Sequence, residues 1–175
     1  MAWSQSIGSI HLLDAYYALL PESFLLDKEK NMCEINYNQM WRKISGLGTY
    51  FKSLGLVNQK KIAIIAENSI GWIIAYYTTL CGGNITVPMD CNLPAEDLCD
   101  QLIRCGCDAL VYTDSFSSMI EEFKENKEMP VEHWLCIDDF DSYFEKGWKI
   151  YDGGDKSFDD IEVKPEDLAC ISYTS

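Results

Sequence analysis

Residues 61–90 read KIAIIAENSIGWIIAYYTTLCGGNITVPMD and contain the pattern that decides the fold. The stretch begins with a compact apolar run at 61–66 and ends with a second one at 84–89. Runs of this length and composition are typical of strands buried on both faces of a parallel sheet. Between them, Asn68-Ser69 can cap a helix and Gly82-Gly83 can end it. The stretch therefore predicts a strand, a helix and a second, parallel strand.

The same alternation continues beyond residue 90. Pro94 opens a helix with Glu96 and Asp97 in its first turn, where the helix dipole favours acids, and the helix ends at Gly106. A strand at 109–112, a short charged helix from Ser117 to about 127 and a strand at 134–137 follow. The predicted fold is α/β, a mainly parallel, doubly wound sheet with flanking helices.

The segments on either side predict four units in the chain. Residues 1–31 form a helical lead-in, with a helix that Pro21 stops, and residues 32–137 form an α/β subdomain. This subdomain opens with an extended piece at 33–37 and a helix capped by Asn36, in a capping box with Gln39, and closed by Gly55. Residues 138–167 hold eleven acids against four lysines and are predicted as an acidic, solvated connector. The fourth unit, 168–175, is an apolar strand over 168–173 that leads into Thr174-Ser175.

Composition excludes several classes of protein. The chain has 175 residues, 47% of them hydrophobic, and a formal net charge of −14, which disfavours nucleic acid or an anionic membrane as a partner. The 22 uncharged residues from 68 to 89 are long enough to cross a bilayer. Their polar side chains and the central glycine pair favour a buried helix and strand instead, so no membrane span is predicted.

The chain contains eight cysteines, mostly inside apolar runs. They lack CxxC spacing, and both histidines, His11 and His133, lie far from the Cys105-Gly-Cys107 pair. This arrangement predicts eight free thiols, no metal site and a reducing cytoplasm.

Catalytic motifs are scarce in the residues themselves. GxGxxG, GxxxxGK[ST] and GxSxG do not occur, and His11 and His133 are predicted to be satisfied or exposed rather than catalytic. Four acids follow predicted strands and are interpreted as helix caps and turn residues: Glu67, Asp90, Asp114 and Asp138. A phospho-receiver would need an acidic pair after the first strand and a lysine after the last, and neither is in place.

Two further pairs of residues receive an interpretation. Thr174 and Ser175 would lie at the carboxyl end of a strand, where hydroxyls and backbone N–H groups suit phosphate oxygens. Trp72 and Tyr76, on the helix after the first strand, are interpreted as core packing rather than as an acyl pocket.

Three segments in order resemble the adenylate-forming enzymes, the superfamily of acyl-CoA synthetases, luciferases and peptide-synthetase adenylation domains. INYNQM at 35–40 resembles the family's [LI]-[TS]-Y-x-x-L element, with Met40 at the usual leucine. TLCGGNITVPMD at 79–90 resembles L-x-A-G-x-x-x-V-P-[IL]-D, with Cys81 at the alanine. DLACISYTS at 167–175 resembles the run into the family's phosphate loop, [DA]-x-A-x-[IL]-x-Y-T-S-G-[ST]-T-G-x-P-K-G. Residues 92–98 and 106–114 match the helix and strand that lie between these elements in the family.

This resemblance covers residues 32–175 and is strongest to bacterial fatty-acyl-CoA ligases. It implies an N-terminal fragment, one subdomain of a larger adenylate-forming fold. The whole enzyme would activate a carboxylate with ATP and Mg²⁺, and pass the acyl group to a thiol, with coenzyme A as the expected acceptor. Only Thr174 and Ser175 are expected to contact ATP, and no catalytic or metal-binding residue is assigned. The family's adenine- and ribose-binding acids and its small C-terminal domain with a catalytic lysine are absent from these 175 residues, so the fragment itself is expected to be inactive.

One alternative of a different class stays open. A doubly wound sheet of this size could be a stand-alone binding or interaction module without catalysis, which would be expected to end in a capped element or a polar tail. The uniformly apolar 168–173 strand predicts instead that an apolar surface and a sheet edge are exposed in the fragment, and that the fragment self-associates.

Overall fold

A two-stranded antiparallel sheet precedes the first helix. The computed structural model describes residues 23–26 and 32–173, with side chains described from Ile35 onward. Strand β1 (Ser23–Leu26) pairs with β2 (Met32–Ile35), with Ser23 opposite Ile35. Strand β2 agrees with the predicted extended piece, whereas β1 lies inside the predicted helical lead-in at 1–31, so that prediction was wrong for residues 23–26. The helix predicted before Pro21 lies outside the described residues, as does His11.

Helix α1 (Tyr37–Ser53) begins with the predicted capping box. The Asn36 Oδ1 atom accepts a hydrogen bond from the Gln39 backbone N–H at 2.9 Å, and the Asn36 N–H donates to Gln39 Oε1 at 3.0 Å. Gly55, at φ +79°, follows the last turn in the left-handed conformation that ends many helices. Both helix-end predictions are confirmed.

The central sheet has four parallel strands in the order β4-β3-β5-β6, which confirms the α/β prediction for the described residues. Ile62 lies opposite both Thr86 and Ala109, and Val111 lies opposite Leu135. The strands are β3 (Lys61–Ile65), β4 (Ile85–Pro88), β5 (Ala109–Tyr112) and β6 (His133–Cys136). The connecting helices are α2 (Ile70–Cys81), α3 (Ala95–Cys105) and α4 (Ser117–Lys124).

Each face of this sheet is buried in its own apolar core. On one face, Ile62, Ile64 and Val111 pack in a cluster with residues of α1 and α2. On the other face, Ala63 and Leu110 pack with residues of α3 and α4. Successive side chains of a strand point to opposite faces of the sheet. Because these strands are apolar at nearly every position, their side chains are buried on both faces.

The prediction of an acidic connector over 138–167 needs a correction, because a fifth helix, α5 (Phe140–Asp152), lies inside this range. Phe140 and Phe144 are buried, and Phe158, beyond the helix, is 1% exposed. The helix packs along α1, with Tyr143 stacked on Tyr50 at a centroid distance of 5.0 Å. The prediction of a solvated segment was therefore wrong for these residues, because the aromatic side chains share one face of a helix whose other positions hold the acids. The division of the chain into four units stays a prediction.

Within the residues described, the structure contains no helix of the length and apolarity that crossing a bilayer would require.

Candidate functional site

The candidate site is the carboxyl edge of the central sheet, which we define as the residues that follow its strands: Glu67, Asp90, 113–115 and Asp138. The four strands are parallel, so their carboxyl ends meet at this edge. Open α/β sheets bind ligands outside the carboxyl ends of their strands, where the strand order reverses. Here β4 lies on one side of β3 and β5 on the other, so the reversal falls between β3 and β5.

Glu67 joins the ends of β3 and β5. Its carboxylate accepts hydrogen bonds from the Thr113 hydroxyl at 2.7 Å and from the Ser115 hydroxyl at 2.9 Å. The two hydroxyl oxygens lie 3.0 Å apart. Thr113 is only 2% exposed, so this bond satisfies a buried hydroxyl. Glu67 therefore acts as a structural acceptor that holds the loop after β5.

Asp138 joins the ends of β5 and β6 in the same way. Its Oδ2 atom accepts a hydrogen bond from the backbone N–H of Asp114 at 2.9 Å, at the start of a single 3-10 turn, Asp114–Phe116. The Asp114 carboxylate accepts from the Ser117 hydroxyl at 2.8 Å. Both acids lie in 3-10 turns, which agrees with the turn interpretation, but neither side chain caps a helix, so the cap interpretation was wrong for them.

Asp90 forms a local turn after β4. Its Oδ1 atom accepts from the backbone N–H of Asn92 at 3.0 Å and from the Asn92 side-chain amide at 2.8 Å. The two bonds stabilise the carboxylate and lower the pKa of Asp90 below its ordinary value. Asp90 is therefore also a turn residue.

Residues 169–171 extend the sheet beyond β4. Thr86 donates its backbone N–H to the Ala169 carbonyl at 2.9 Å, and its carbonyl accepts from the Ile171 N–H at 2.9 Å. This parallel bridge, Thr86 with Cys170, orients the segment so that its carboxyl end reaches the same edge as β3 to β6. Thr174 and Ser175, the two residues predicted to contact ATP, lie outside the described residues. Their assignment stays a prediction.

The strand predicted over 168–173 is reduced to this one bridge at Cys170, and the segment is more exposed than a strand in the middle of a sheet. Leu168 is 50% exposed and Tyr173 is 41% exposed, while Ile171 packs against the core on the α3 side. This agrees with the predicted exposure of an apolar surface at this end of the chain.

Gln59 is a structural residue that the sequence did not reveal. Its side-chain amide donates to the Gly83 carbonyl at 3.1 Å and to the Leu168 carbonyl at 3.3 Å, linking the turn after α2 to the start of the terminal segment. Gln59 also has φ +67°, a conformation that non-glycine residues adopt rarely. A glutamine in a loop carries no local signal for such a contact.

Trp72 and Tyr76 are partly buried on α2 and pack against the core. Their rings stack at a centroid distance of 5.2 Å, and Tyr77 meets the ring of Tyr76 edge-on. Burial, with a smaller contribution from Cys170, raises the pKa of Tyr76. The packing prediction is confirmed, with the addition that both side chains keep some exposed surface.

Two of the buried cysteines are poor nucleophiles. Burial raises the pKa of Cys81 to about 12, and burial with the neighbouring Cys105 raises the pKa of Cys107. Seven cysteines are described as free, and in the same part of the chain no cluster of three or more His, Cys, Asp or Glu is arranged to hold a metal. The titration of eight thiols and the reducing cytoplasm stay predictions.

The structural comparisons relate this fold to known ligases. A fatty acyl CoA synthetase of Mycobacterium tuberculosis matches 97% of this chain and 32% of its own, with a TM-score of 0.76 and 19% identity. A long-chain-fatty-acid-CoA ligase of Archaeoglobus fulgidus matches 99% of this chain and 35% of its own, with a TM-score of 0.79 and 17% identity. These identities support the fold alone.

The sequence comparisons agree with the structural ones. The family model described as AMP-binding enzyme matches residues 22–175. A plipastatin synthase of Bacillus subtilis is 28% identical over 90 residues, which cover 51% of this chain. Tyrocidine synthase 3 of Brevibacillus parabrevis is 26% identical over 141 residues, which cover 81% of it. The chain spans about 2% of the length of each of these two relatives.

Proposed function

Since this chain belongs to the AMP-binding enzyme family, we propose that it supplies the N-terminal part of an ATP-dependent ligase that activates a carboxylate. The reaction joins the carboxylate to the α-phosphate of ATP, giving an acyl-adenylate and releasing pyrophosphate. The observation that carries the proposal is the family match over 22–175, which extends through the described sheet to Ser175.

The geometry of the terminal segment supports the proposal. Residues 169–171 run parallel to β4, so the described segment is directed toward the carboxyl edge of the sheet. We propose that Thr174 and Ser175 begin a loop there whose hydroxyls and backbone N–H groups bind phosphate oxygens. Glycines after Ser175 would let the backbone approach the phosphates, and a lysine would add positive charge.

The described residues of the carboxyl edge do not by themselves fit ATP or Mg²⁺. Glu67, Asp90, Asp114 and Asp138 are acids, which repel phosphate, and their carboxylates already accept the hydrogen bonds described above. No group of three potential metal ligands occurs among the residues the structure describes. We therefore derive no catalytic step through ATP or Mg²⁺ from these residues.

Coenzyme A is the proposed acceptor of the activated acyl group, and fatty acids are the proposed carboxylates. Both follow from the names of structural relatives, which include fatty-acyl and long-chain-fatty-acid CoA ligases. A second candidate acceptor is the thiol of a carrier protein. It is favoured by the resemblance to peptide-synthetase adenylation domains and by the two relatives named as synthases, whose 26–28% identity exceeds that of the CoA ligase structures.

ATP–pyrophosphate exchange tests the proposed activation. The full reading frame that contains these residues would be expressed, and exchange would be measured with single carboxylates from acetate to palmitate. We expect exchange that depends on at least one carboxylate, and none with the 175-residue chain alone. Absence of exchange from the longer protein with every carboxylate would favour the stand-alone binding module, and exchange by the 175-residue chain would contradict its proposed inactivity.

Adding coenzyme A to the productive mixture separates the two acceptors. Formation of acyl-CoA supports the first candidate. A stable acyl-adenylate that transfers only to a carrier-protein thiol supports the second.

A further inference from the structure

The segment Cys105-Gly106-Cys107 connects α3 to β5 and brings two thiols together. Cys105 is the last residue of α3, and Gly106 follows it with φ +65° and ψ +54°, in the left-handed conformation. These angles mirror those of an α-helix, in which Cα atoms two residues apart are separated by about 5.4 Å. Disulfides join Cα atoms that are about 4.4–6.8 Å apart. The backbone therefore holds Cys105 and Cys107 at a distance that a disulfide can span.

The side chains of the two cysteines are neighbours as well. Cys105 is 7% exposed and Cys107 is 0% exposed, and both belong to the apolar core on the α3 side of the sheet. Burial raises the pKa of Cys107, and the adjacent Cys105 thiol raises it further. The turn at Gly106 thus directs both thiols into one place.

A lysine lies against the same turn. The Lys61 ammonium donates a hydrogen bond to the Cys105 carbonyl oxygen at 2.6 Å, and its Nζ atom would lie 3.9 Å from a Cβ atom placed on Gly106. This positive charge opposes the effect of burial on the pKa of Cys107. A cation beside a thiol favours the thiolate, which is the form that reacts with oxidants. Gly106 is exposed, so a small oxidant can approach the turn.

We propose that Cys105 and Cys107 are a redox pair, which hydrogen peroxide converts into a reversible intramolecular disulfide. The inference goes beyond the proposed ligase activity and does not depend on it, because neither cysteine is assigned a role in that reaction.

The oxidation has two steps. Cys105 is the more exposed of the two, so its thiolate attacks one oxygen of the peroxide, and the O–O bond breaks to give a sulfenic acid and hydroxide. The Cys107 thiolate then attacks the oxidised sulfur, and the S–S bond forms as the S–O bond breaks and a second hydroxide leaves. The two thiol protons convert both hydroxides to water. Two thiols thus lose two electrons, and one peroxide is reduced to two waters.

Proximity makes the second step feasible although Cys107 is buried. A thiol with a raised pKa reacts slowly with a reagent in solution, but here the oxidised sulfur is held beside it, and such proximity raises rates by orders of magnitude. Closure of the disulfide also protects Cys105 from further, irreversible oxidation. A thiol reductant restores the pair by thiol–disulfide exchange.

Trypsin isolates the pair for a direct test. Cleavage after Arg104 and Lys124 releases residues 105–124, which contain these two cysteines and no other. The folded, full-length protein would be treated with hydrogen peroxide, alkylated and digested, and the peptide analysed by mass spectrometry. A disulfide gives a peptide that carries no alkyl group and is lighter by two hydrogens than the reduced peptide.

We expect the disulfide peptide from the wild-type protein, and its doubly alkylated form when dithiothreitol is added before alkylation. Cys107→Ser should abolish the disulfide and leave a sulfenic acid on Cys105 that dimedone traps, whereas Cys105→Ser should leave Cys107 unoxidised. Cys99→Ser changes a partly buried cysteine of the same helix and is the matched control. It should form the disulfide to the same extent as wild type.

Two results would overturn the inference. One is a 105–124 peptide that stays doubly alkylated at peroxide doses that oxidise the exposed Cys170. The other is a disulfide from Cys105 or Cys107 to a different part of the chain. Both results come from the wild-type protein, so they decide the matter even where a serine variant does not fold.

Discussion

Gly147 of α5 lies against the backbone of Gly46 in α1, so closely that a Cβ atom on Gly147 would overlap the Gly46 carbonyl oxygen. The two helices therefore cross at a point where both residues must lack a side chain. A Cβ on Gly46 would in turn come within 2.6 Å of the Trp148 indole nitrogen. The acidic helix is thus fixed to the first helix of the subdomain by direct backbone contact.

We predict that Gly147→Ala lowers the free energy of unfolding by about 3 kcal/mol, because the methyl group can be accommodated only if the helices separate. Urea unfolding of the 175-residue chain, followed by tryptophan fluorescence, measures the change. Ser142→Ala, at an exposed position of the same helix, is the control and should differ from wild type by less than about 0.5 kcal/mol. Equal stability of the two variants would show that α5 does not pack as described.

A second prediction concerns the capping box of α1. Asn36→Ala removes the side-chain acceptor of the Gln39 N–H and should cost about 1 kcal/mol of unfolding free energy. Asn38→Ala changes the same residue type just inside the helix, at an exposed position, and should cost much less. The same urea titration separates the two, and a larger loss for Asn38→Ala would contradict the assignment of the cap.

The decrease of the free energy of unfolding at acid pH should depend on Asp108. Burial alone would raise the pKa of this carboxyl, but hydrogen bonds from the Lys60 ammonium and the Lys61 backbone N–H, both 2.8 Å, outweigh burial and lower it below 3.8. A carboxyl whose pKa is lowered in the folded state stabilises the fold at pH values above the pKa that it has in the unfolded chain, which is about 4. That contribution is lost as the pH falls through the lower, folded value.

We therefore predict that Asp108→Asn destabilises the fold by about 1 kcal/mol at about pH 7 and has a smaller effect at about pH 2. Asp141, whose side chain is 97% exposed, provides the control as Asp141→Asn and should show little change at either pH. Urea unfolding at a series of pH values gives both curves. A loss for Asp108→Asn that is independent of pH would refute the role of the charge.

The exposed edge at 168–173 leads to a prediction about association. Leu168, Tyr173 and Tyr77 are the large apolar side chains described as exposed, and two of the three lie in this segment. We predict that the 175-residue chain self-associates as its concentration rises, despite a net charge of −14. Sedimentation velocity should show a mass that increases with concentration, and Leu168→Lys should reduce this increase. A monomer at all concentrations, without binding of a hydrophobic dye, is the contrary result.

The elements that the sequence predicts well are those whose signals are local. Asn36 and Gln39 lie three residues apart and cap the helix that follows them, and the apolar runs at 61–65 and 109–112 form buried parallel strands. Helix α5 was missed because residues 138–167, which contain it, hold eleven acids, and this suggested a solvent-exposed segment. A local signal did exist, since Phe140, Phe144 and Trp148 recur every four residues along one helix face.

The contacts of the candidate site depend on residues far apart in the chain. Glu67 and Thr113 are separated by 46 residues, and Gln59 and Leu168 by 109. Neither pair has a spacing that marks it in the sequence, because the sheet order alone brings their elements together. The interpretation of Glu67 as a cap or turn acid was therefore wrong, because its carboxylate accepts hydrogen bonds from hydroxyls of a distant loop and Ser69 caps the helix that follows.

Identification of the phosphorus-containing products of the reaction tests the central claim most directly. The full-length protein would be incubated with ATP, Mg²⁺ and the carboxylate that supports exchange, and the mixture followed by phosphorus NMR with mass spectrometry of the nucleotide. Activation by adenylation predicts pyrophosphate and an acyl-adenylate, with AMP appearing as the acyl group passes to a thiol. ADP with inorganic phosphate, or unchanged ATP with every carboxylate, would contradict the account.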